Sequence, residues 1–438
     1  MSIGSINNLS NLTSSLIQDR AEPVVNAGVS EPEVPQESFT PSGKDFIITG
    51  ADPSKINELK AQILSNHHNK ITADLPIIGG FSVTLGDEDE ETLMQLDMAR
   101  REGIIGNFCA DTPIDFTSDS MIECGLDNGD VKVGKDANIM FGVDKLHEQG
   151  ITGKGSCICV LDSGIAPHPD LKDRIVAFKD YVNGETEPYD DNGHGTHCAG
   201  ICAGDGTSSG GKNIGVAPEA NIVGVKVLDK FGEGSTSAII KGIQWAILNK
   251  HKYGIDVLSI SLGRPIERTR FLDPMTMAVQ VAYRAGLSVV VAAGNEGSDP
   301  ETISSPANAP NAITVGALDD AGTPETSDDW VAYFSSQGPT KFDHLDKPDV
   351  VAPGVDIISC SHEGDGYVKM SGTSMATPFT AGLAALMKQV DPKIRPKQIK
   401  KVLMETANPI EYCRQHAQGA GVVDPLESIA KVSEGKKS

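Results

Sequence analysis

The sequence predicts an α/β fold with a mostly parallel central sheet and helices on both faces, preceded by a small α+β unit. Three observations carry this. From about residue 137 onward, Val- and Ile-rich apolar runs alternate with helical stretches, as strands buried on both faces do. Ahead of them, a shorter region alternates strands and amphipathic helices on its own. The chain of 438 residues also exceeds the usual size of one domain, so more than one folding unit is expected.

The elements follow in order. Residues 1–43, rich in Ser, Asn, Pro and Glu, read as a flexible extension. Within 44–117, "KDFIITG" is a strand and "DPSKINELKAQILSNHH" a capped helix with Ile56, Leu59, Ile63 and Leu64 on one face. "GGFSVTL" alternates as a strand, and "DEDEETLMQLDMARREGI" starts a helix with acids, where the dipole favours them. "GNFCADTPIDF" closes this unit. Residues 118–136 turn polar and glycine-containing and read as a linker. In 137–438 the strands are "SCICVLDSG", "NIVGVKVL", "DVLSISLG", "LSVVVAAGN" and "AITVGAL". Helices are expected at "SAIIKGIQWAILNKH", "PMTMAVQVAYRAG" and "TPFTAGLAALMKQ".

Composition narrows the function. A net charge of −23 argues against nucleic acid as a partner, because phosphate binding needs clustered Lys and Arg. That acidity serves solubility and would attract calcium. No run of 18 apolar residues is present, so no membrane span is expected. The N-terminus lacks a basic start followed by an apolar core, so no secretory signal peptide is expected. Cys157 and Cys159 alternate along a strand, and Cys198 and Cys202 lie one helical turn apart. Both pairs read as small buried hydrophobes and lack the spacing of a zinc or redox motif. A cytoplasmic setting is expected, with leaderless export as the alternative.

Function in a parallel sheet gathers at the carboxyl ends of its strands. Asp162 ends one strand, and Asn295 follows another in "VAAGNEG". His194 sits between glycines in "DNGHGTHCAG", and Ser374 opens a helix in "SGTSMATP". Each has a plain alternative: a turn-former, a loop amide, a structural histidine, a helix N-cap. Together, an Asp, a His and a Ser at element termini, with an Asn able to donate, are the parts of nucleophilic acyl transfer. Their order along the chain is Asp, His, Ser.

With these residues in view, the chain resembles the subtilisin-type serine proteases, the subtilases. The resemblance rests on "VLDSGIAPHPDL", "DNGHGTHCAG", "GVAPEANIVGVKVL", "SISLG", "VAAGNEG", "FSSQGP" and "SGTSMATPFTAGLAAL", in the family's order, across about residues 137–430. It implies that Ser374 is the nucleophile, His194 the base, Asp162 its orienting acid and Asn295 the oxyanion donor. His197 would be structural. Ser261, Leu262 and Gly263 would pair with an extended peptide. Ala292, Ala293, Gly294 and Ser304 would wall a first specificity pocket open to large apolar side chains. Arg264, where many relatives have glycine, is expected to point into solvent rather than to select acidic substrates. Cys198 would lie beside the base, so bulky thiol reagents should inhibit.

The preceding unit resembles the family's inhibitory propeptide. The resemblance implies an intramolecular inhibitor cut by Ser374 between about Phe116 and Lys135, and no further domain after "GAGVVDPLESI". "EPYDDNGHGTHCAG", with no signal peptide, is similar to the intracellular branch. Chemistry needs no cofactor. Asp170 in "HPDL" matches a ligand position of a structural calcium site. The partner loop "GDGTSSGGKNIGVAP" offers only Asp205 and Asn213 as clear oxygen ligands, against the six or more calcium takes, so no ligand set is assigned. Ser305–Pro306 is expected to be cis. The substrates would be proteins or peptides. A non-catalytic binding protein on this fold and an esterase with the same three residues are the competing readings. The intact catalytic set disfavours the first, and the peptide-pairing edge disfavours the second.

Overall fold

Alternation in the N-terminal region becomes a sheet because every second side chain can face one pair of helices. The protein is described here by a computed structural model covering residues 45–86, 89–114, 137–323 and 326–436. The extension expected at 1–43, the linker at 118–136 and the processing segment lie outside the described residues. Two compact units divide the chain, Met1–Thr112 and Pro113–Ser438.

The first unit runs β1 (Asp45–Thr49), α1 (Ile56–Ile63), β2 (Lys70–Leu75), β3 (Gly80–Thr84), α2 (Glu90–Arg101) and β4 (Asn107–Ala110). Its strands form an antiparallel sheet in the order β2-β3-β1-β4. Phe46, Ile48, Phe81 and Val83 pack with Leu59, Ile63 and Leu96 of the helices. Three details depart from expectation. β2 fits the expected βαββ(αβ)-like order but falls on a segment not named from sequence: Leu75 is buried, Ile71 and Ala73 are partly buried, and Lys70, Thr72 and Asp74 are exposed, so its hydrophobic signal is weak. Leu64, expected on the buried face, is 45% exposed because the helix has already ended at Ile63. The anticipated cap of α1 is instead a turn before it, in which Asp52 Oδ1 accepts from the Ser54 N–H and hydroxyl. By contrast α2 is capped as its sequence suggests, with Asp89 accepting from the Thr92 N–H.

In the second unit, β5 (Pro113–Ile114) is followed by β6 (Cys157–Asp162), β7 (Ile175–Asp180), α3 (His194–Ala203), β8 (Asn221–Lys226), β9 (Gly234–Ser235) and α4 (Thr236–Tyr253). Next come β10 (Val257–Ile260), α5 (Pro274–Arg284), β11 (Ser288–Ala292), β12 (Ile313–Asp319), β13 (Trp330–Val331) and β14 (Val350–Pro353). The hairpin β15 (Ile357–Cys360) and β16 (Tyr367–Met370) leads into α6 (Thr373–Val390). The main sheet has the order β13-β12-β11-β10-β6-β8-β7, with β14 also on β12, and only β13 is antiparallel. Every residue of β6, β10 and β11 is buried, which is why those sequences are unbroken apolar runs. Helix α6 is buried from Thr373 to Met387, matching a sequence that is small or apolar all round.

Register decides what the sheet presents at its carboxyl edge. Ile260 of β10 stands opposite Leu161 of β6 and Val291 of β11, so the next residues, Asp162, Ser261 and Ala292, fall in one row. The Ser305–Pro306 peptide is cis, as expected, and so are Gly338–Pro339 and Lys347–Pro348. Among the described residues no helix is long and apolar enough to cross a membrane.

Candidate active site

At the end of β6 the Asp162 side chain is buried, and its Oδ1 accepts from the Ser163 N–H at 2.7 Å and from His194 Nδ1 at 2.8 Å. A carboxylate only accepts, so Nδ1 carries the proton and Nε2 keeps its lone pair. The two flanking glycines make this approach feasible. Gly193 has φ +108°, and a Cβ there would lie 2.4 Å from His362 Nδ1. A Cβ on Gly195 would lie 2.1 Å from the Gly164 carbonyl and 3.1 Å from Asp162 Cβ. The histidine helix therefore meets the strand end at backbone contact.

Asp190 ties the same elements together. Its Oδ1 accepts from Ser163 Oγ and the Gly193 N–H, and its Oδ2 from the Thr196 N–H and hydroxyl. Burial pushes its pKa up, but these donors outweigh burial and leave the carboxyl below its ordinary value. Lys226, fully buried at the end of β8, donates to the Ser163 and Leu228 carbonyls and to Asp191 Oδ1. Neither Asp190 nor Lys226 was singled out from sequence. A lysine inside "VGVKVL" was the available signal, since a cation within a buried strand needs partners. His197, one turn along α3, donates from Nε2 to the carbonyls of Ile357 and Val368, fastening the β15–β16 hairpin to the helix.

Ser374 lies in the first turn of α6 and is tied to the same place. Its Oγ donates to the Ser261 carbonyl at 3.4 Å, and the Ser261 hydroxyl donates to the Ser374 carbonyl at 3.0 Å. The Cys198 thiol bridges the two sides, 3.4 Å from the Ser374 carbonyl and 3.9 Å from His194 Nδ1. Burial raises its pKa, so it stands as a thiol. Asn295 Oδ1 accepts from both the Thr373 N–H and its hydroxyl, each at 2.9 Å, which fixes the amide so that Nδ2 is its donor end.

Several of the residues expected to form the specificity pocket and groove also meet one another. Ser304 donates from its N–H and hydroxyl to the Ala293 carbonyl, and a Cβ on Gly263 would lie 2.6 Å from Ser304 Oγ. The Gly294 N–H donates to the Thr373 hydroxyl at 3.3 Å. Leu262 is buried beside them in sequence, and Ala292 ends β11. An edge that was not foreseen is β9, whose Gly234 and Ser235 pair antiparallel with Ile114 and Pro113.

Arg264 does not point into solvent. It is 5% exposed, its backbone pairs with Ser305 in both directions, and its Nη2 meets Asp273 Oδ2 at 3.2 Å. Asp273 is fully buried and caps α5 through the Met275 and Thr276 N–H groups, so it requires a nearby cation.

The residues around Asp170 do not fit a calcium ion. Asp170 Oδ1 accepts from the Ser208 N–H and Oδ2 from the Tyr367 hydroxyl, while Arg174 donates to its carbonyl. Asp205 Oδ1 accepts from the Thr207 N–H. These neighbours are donors, where calcium needs a shell of oxygen acceptors.

A profile of the subtilase family matches residues 153–423. The chain is similar to the serine protease AprX of Bacillus subtilis, with 47% identity over 299 residues, 64% of this chain and 67% of that one. It is 39% identical over 267 residues to a thermostable alkaline protease of Halalkalibacterium halodurans, covering 61% of this chain and 66% of the relative. To subtilisin Savinase of Lederbergia lenta it is 40% identical over 273 residues, 62% of this chain and 91% of the relative. The aligned segment thus spans about two thirds of the length of the first two and nearly all of the third. A profile match over more than half of the chain, with relatives at this identity, makes it a member of the subtilase family, the subtilisin-type serine proteases.

Proposed function

We propose that the chain is a self-processing zymogen of a serine endopeptidase that cuts extended segments of proteins. Ser374 attacks the scissile carbonyl while His194 Nε2 takes its proton and later returns it to the leaving amine. Asp162 holds the imidazole in that tautomer and stabilises the imidazolium. The Asn295 amide and the Ser374 N–H bind the oxyanion at the start of α6, where the helix dipole favours negative charge. The observation that carries this reading is the 2.8 Å His194–Asp162 bond within a cluster that Cys198 and Ser261 link to Ser374. No cofactor takes part in these steps.

Ser261, Leu262 and Gly263 pair with the substrate backbone, and Ala292, Ala293, Gly294 and Ser304 form a pocket whose small side chains admit a large apolar residue. The N-terminal unit acts as the inhibitor. Its support is β5, which directly follows that unit in the chain and already lies as an extended strand on β9. Processing falls between Phe116 and Lys135, and the protein works in the cytoplasm as a member of the intracellular branch. The calcium that the resemblance implies is not part of this reading, because the groups beside Asp170 (the Tyr367 hydroxyl, the Cys360 thiol and the His168 imidazole) offer too few oxygens for it.

Expressing the wild type beside Ser374→Ala, followed by gel analysis and N-terminal sequencing, tests the proposal. Self-cleavage in the wild type alone supports it and locates the junction. Two full-length products that also leave added protein substrates intact would sink it.

A further inference from the structure

We propose that His168, Asp170 and Cys360 form a buried site for a thiophilic divalent cation of the zinc class, distinct from the catalytic centre. Their ligand atoms (imidazole nitrogen, carboxylate oxygen and thiol sulfur) all lie within 4.8 Å of one another. Cys360 Sγ is 3.8 Å from Asp170 Oδ2, and His168 Nδ1 is 3.8 Å from Asp170 Oδ1. The three side chains are at most 1% exposed.

The histidine holds the tautomer a metal needs, and a metal would take the place of the Asp170 N–H on its Nδ1. Its Nε2 donates to the Gly366 carbonyl at 3.0 Å, which leaves Nδ1 unprotonated and facing the cluster, where it accepts from the Asp170 N–H. A ring N–H held by a backbone carbonyl is the usual support behind a ligating imidazole. On the other side, the two protons near Asp170 Oδ2 belong to the Cys360 thiol and the Tyr367 hydroxyl; the thiol becomes a ligand once its proton leaves, and the hydroxyl can ligate through its oxygen while keeping its own. Tyr367 supplies the fourth ligand, an oxygen 2.7 Å from Oδ2.

The donor set selects the ion. One sulfur, one nitrogen and two oxygens suit zinc and cadmium and are too few and too soft for calcium. Charge agrees. Binding M²⁺ expels the Cys360 proton, so thiolate, carboxylate and cation sum to zero. The neighbouring Arg174 and Asp205 offset each other, with Nη2 3.8 Å from Oδ2. Access runs through Tyr367, which is only half-buried beneath the exposed hairpin tip at 363–366. Once bound, the ion joins the turn after β6 to the β15–β16 hairpin, which His197 fastens to α3.

Cadmium chloride titrated into the full chain is the test, with Ser374→Ala preventing self-digestion. Cys198→Ser removes the thiol from Asp162, His194 and Cys198, the other such triplet among the described residues. The expected result is a cadmium–thiolate absorption saturating at one equivalent, with release of about one proton and a higher Tm. Calcium should produce none of these. Adding Cys360→Ser should abolish the band. Pulse alkylation near the unfolding midpoint, read by peptide mapping, decides the matter if that variant does not fold, because cadmium should then protect Cys360. No band, a band that survives Cys360→Ser, or protection of a different cysteine would overturn the proposal.

Discussion

His194 Nδ1 donates to Asp162 Oδ1 across 2.8 Å, with both side chains closed off from solvent. Replacing the acceptor by an amide of the same shape reverses the tautomer, since an amide N–H now faces the ring. Asp162→Asn should keep the fold and lower kcat by about 10⁴-fold, with KM little changed, in a chromogenic peptide assay. That magnitude is the one known for serine-protease triads of this kind and is not obtained from these distances. A loss below tenfold would count against the assigned role.

Thr373 aims the Asn295 amide through two bonds to its Oδ1. Asn295→Ala should cost about 100- to 1,000-fold in kcat, a range established on subtilisin itself. Thr373→Val keeps the backbone bond to Asn295 but removes the hydroxyl, with its bond to Asn295 Oδ1 and its acceptance from the Gly294 N–H; at roughly 1 kcal/mol for the first of these it should cost about fivefold or more. Steady-state kinetics should assign both losses to kcat. A change confined to KM would mean that Asn295 binds substrate without stabilising the transition state.

Burial holds the His197 imidazole down to about 3, against an ordinary 6.5, with the nearby His194 adding to the effect and its two carbonyl bonds opposing it. Between those values the unfolded chain binds a proton that the folded chain does not. Stability is therefore fully present above pH 6.5 and falls as the pH drops toward 3, by about 1.4 kcal/mol per pH unit. Urea unfolding of the Ser374→Ala chain at pH 7, 6 and 5 should show this slope, and His197→Gln should be shallower by that amount. Parallel curves would refute the assignment.

Arg264 and Asp273 form a buried ion pair, and removing Arg264 leaves the Asp273 carboxylate buried without its cation, whereas Arg264 also has Glu267 at 3.6 Å. Arg264→Gly, the residue many relatives carry there, should destabilise the Ser374→Ala chain by about 3 kcal/mol or more in urea unfolding. Arg264→Gly combined with Asp273→Asn should recover much of that loss, since the amide can still cap α5 and leaves no buried charge. Equal losses in the single and double variants would show that the pair is uncoupled.

Much of this was legible in the chain itself. The unbroken runs of β6, β10 and β11 and the all-small face of α6 encode full burial directly, so both the elements and the residues at their ends could be read from local pattern. Leu64 and β2 were harder, because a helix end and a half-exposed edge strand carry little periodic signal. Sequence also located Asp162, His194, Asn295 and Ser374 at element termini, and the resemblance to the subtilases separated His194 from His197.

Packing alone decided the rest. Whether Arg264 reaches water or Asp273, and whether Asp170 meets the oxygen shell calcium needs or the Ser208 and Tyr367 donors, depends on segments far apart in the chain. A local pattern records which way a side chain leaves the backbone. It does not record the charge or donor that a distant loop brings to meet it, and in a dry interior that partner determines the chemistry.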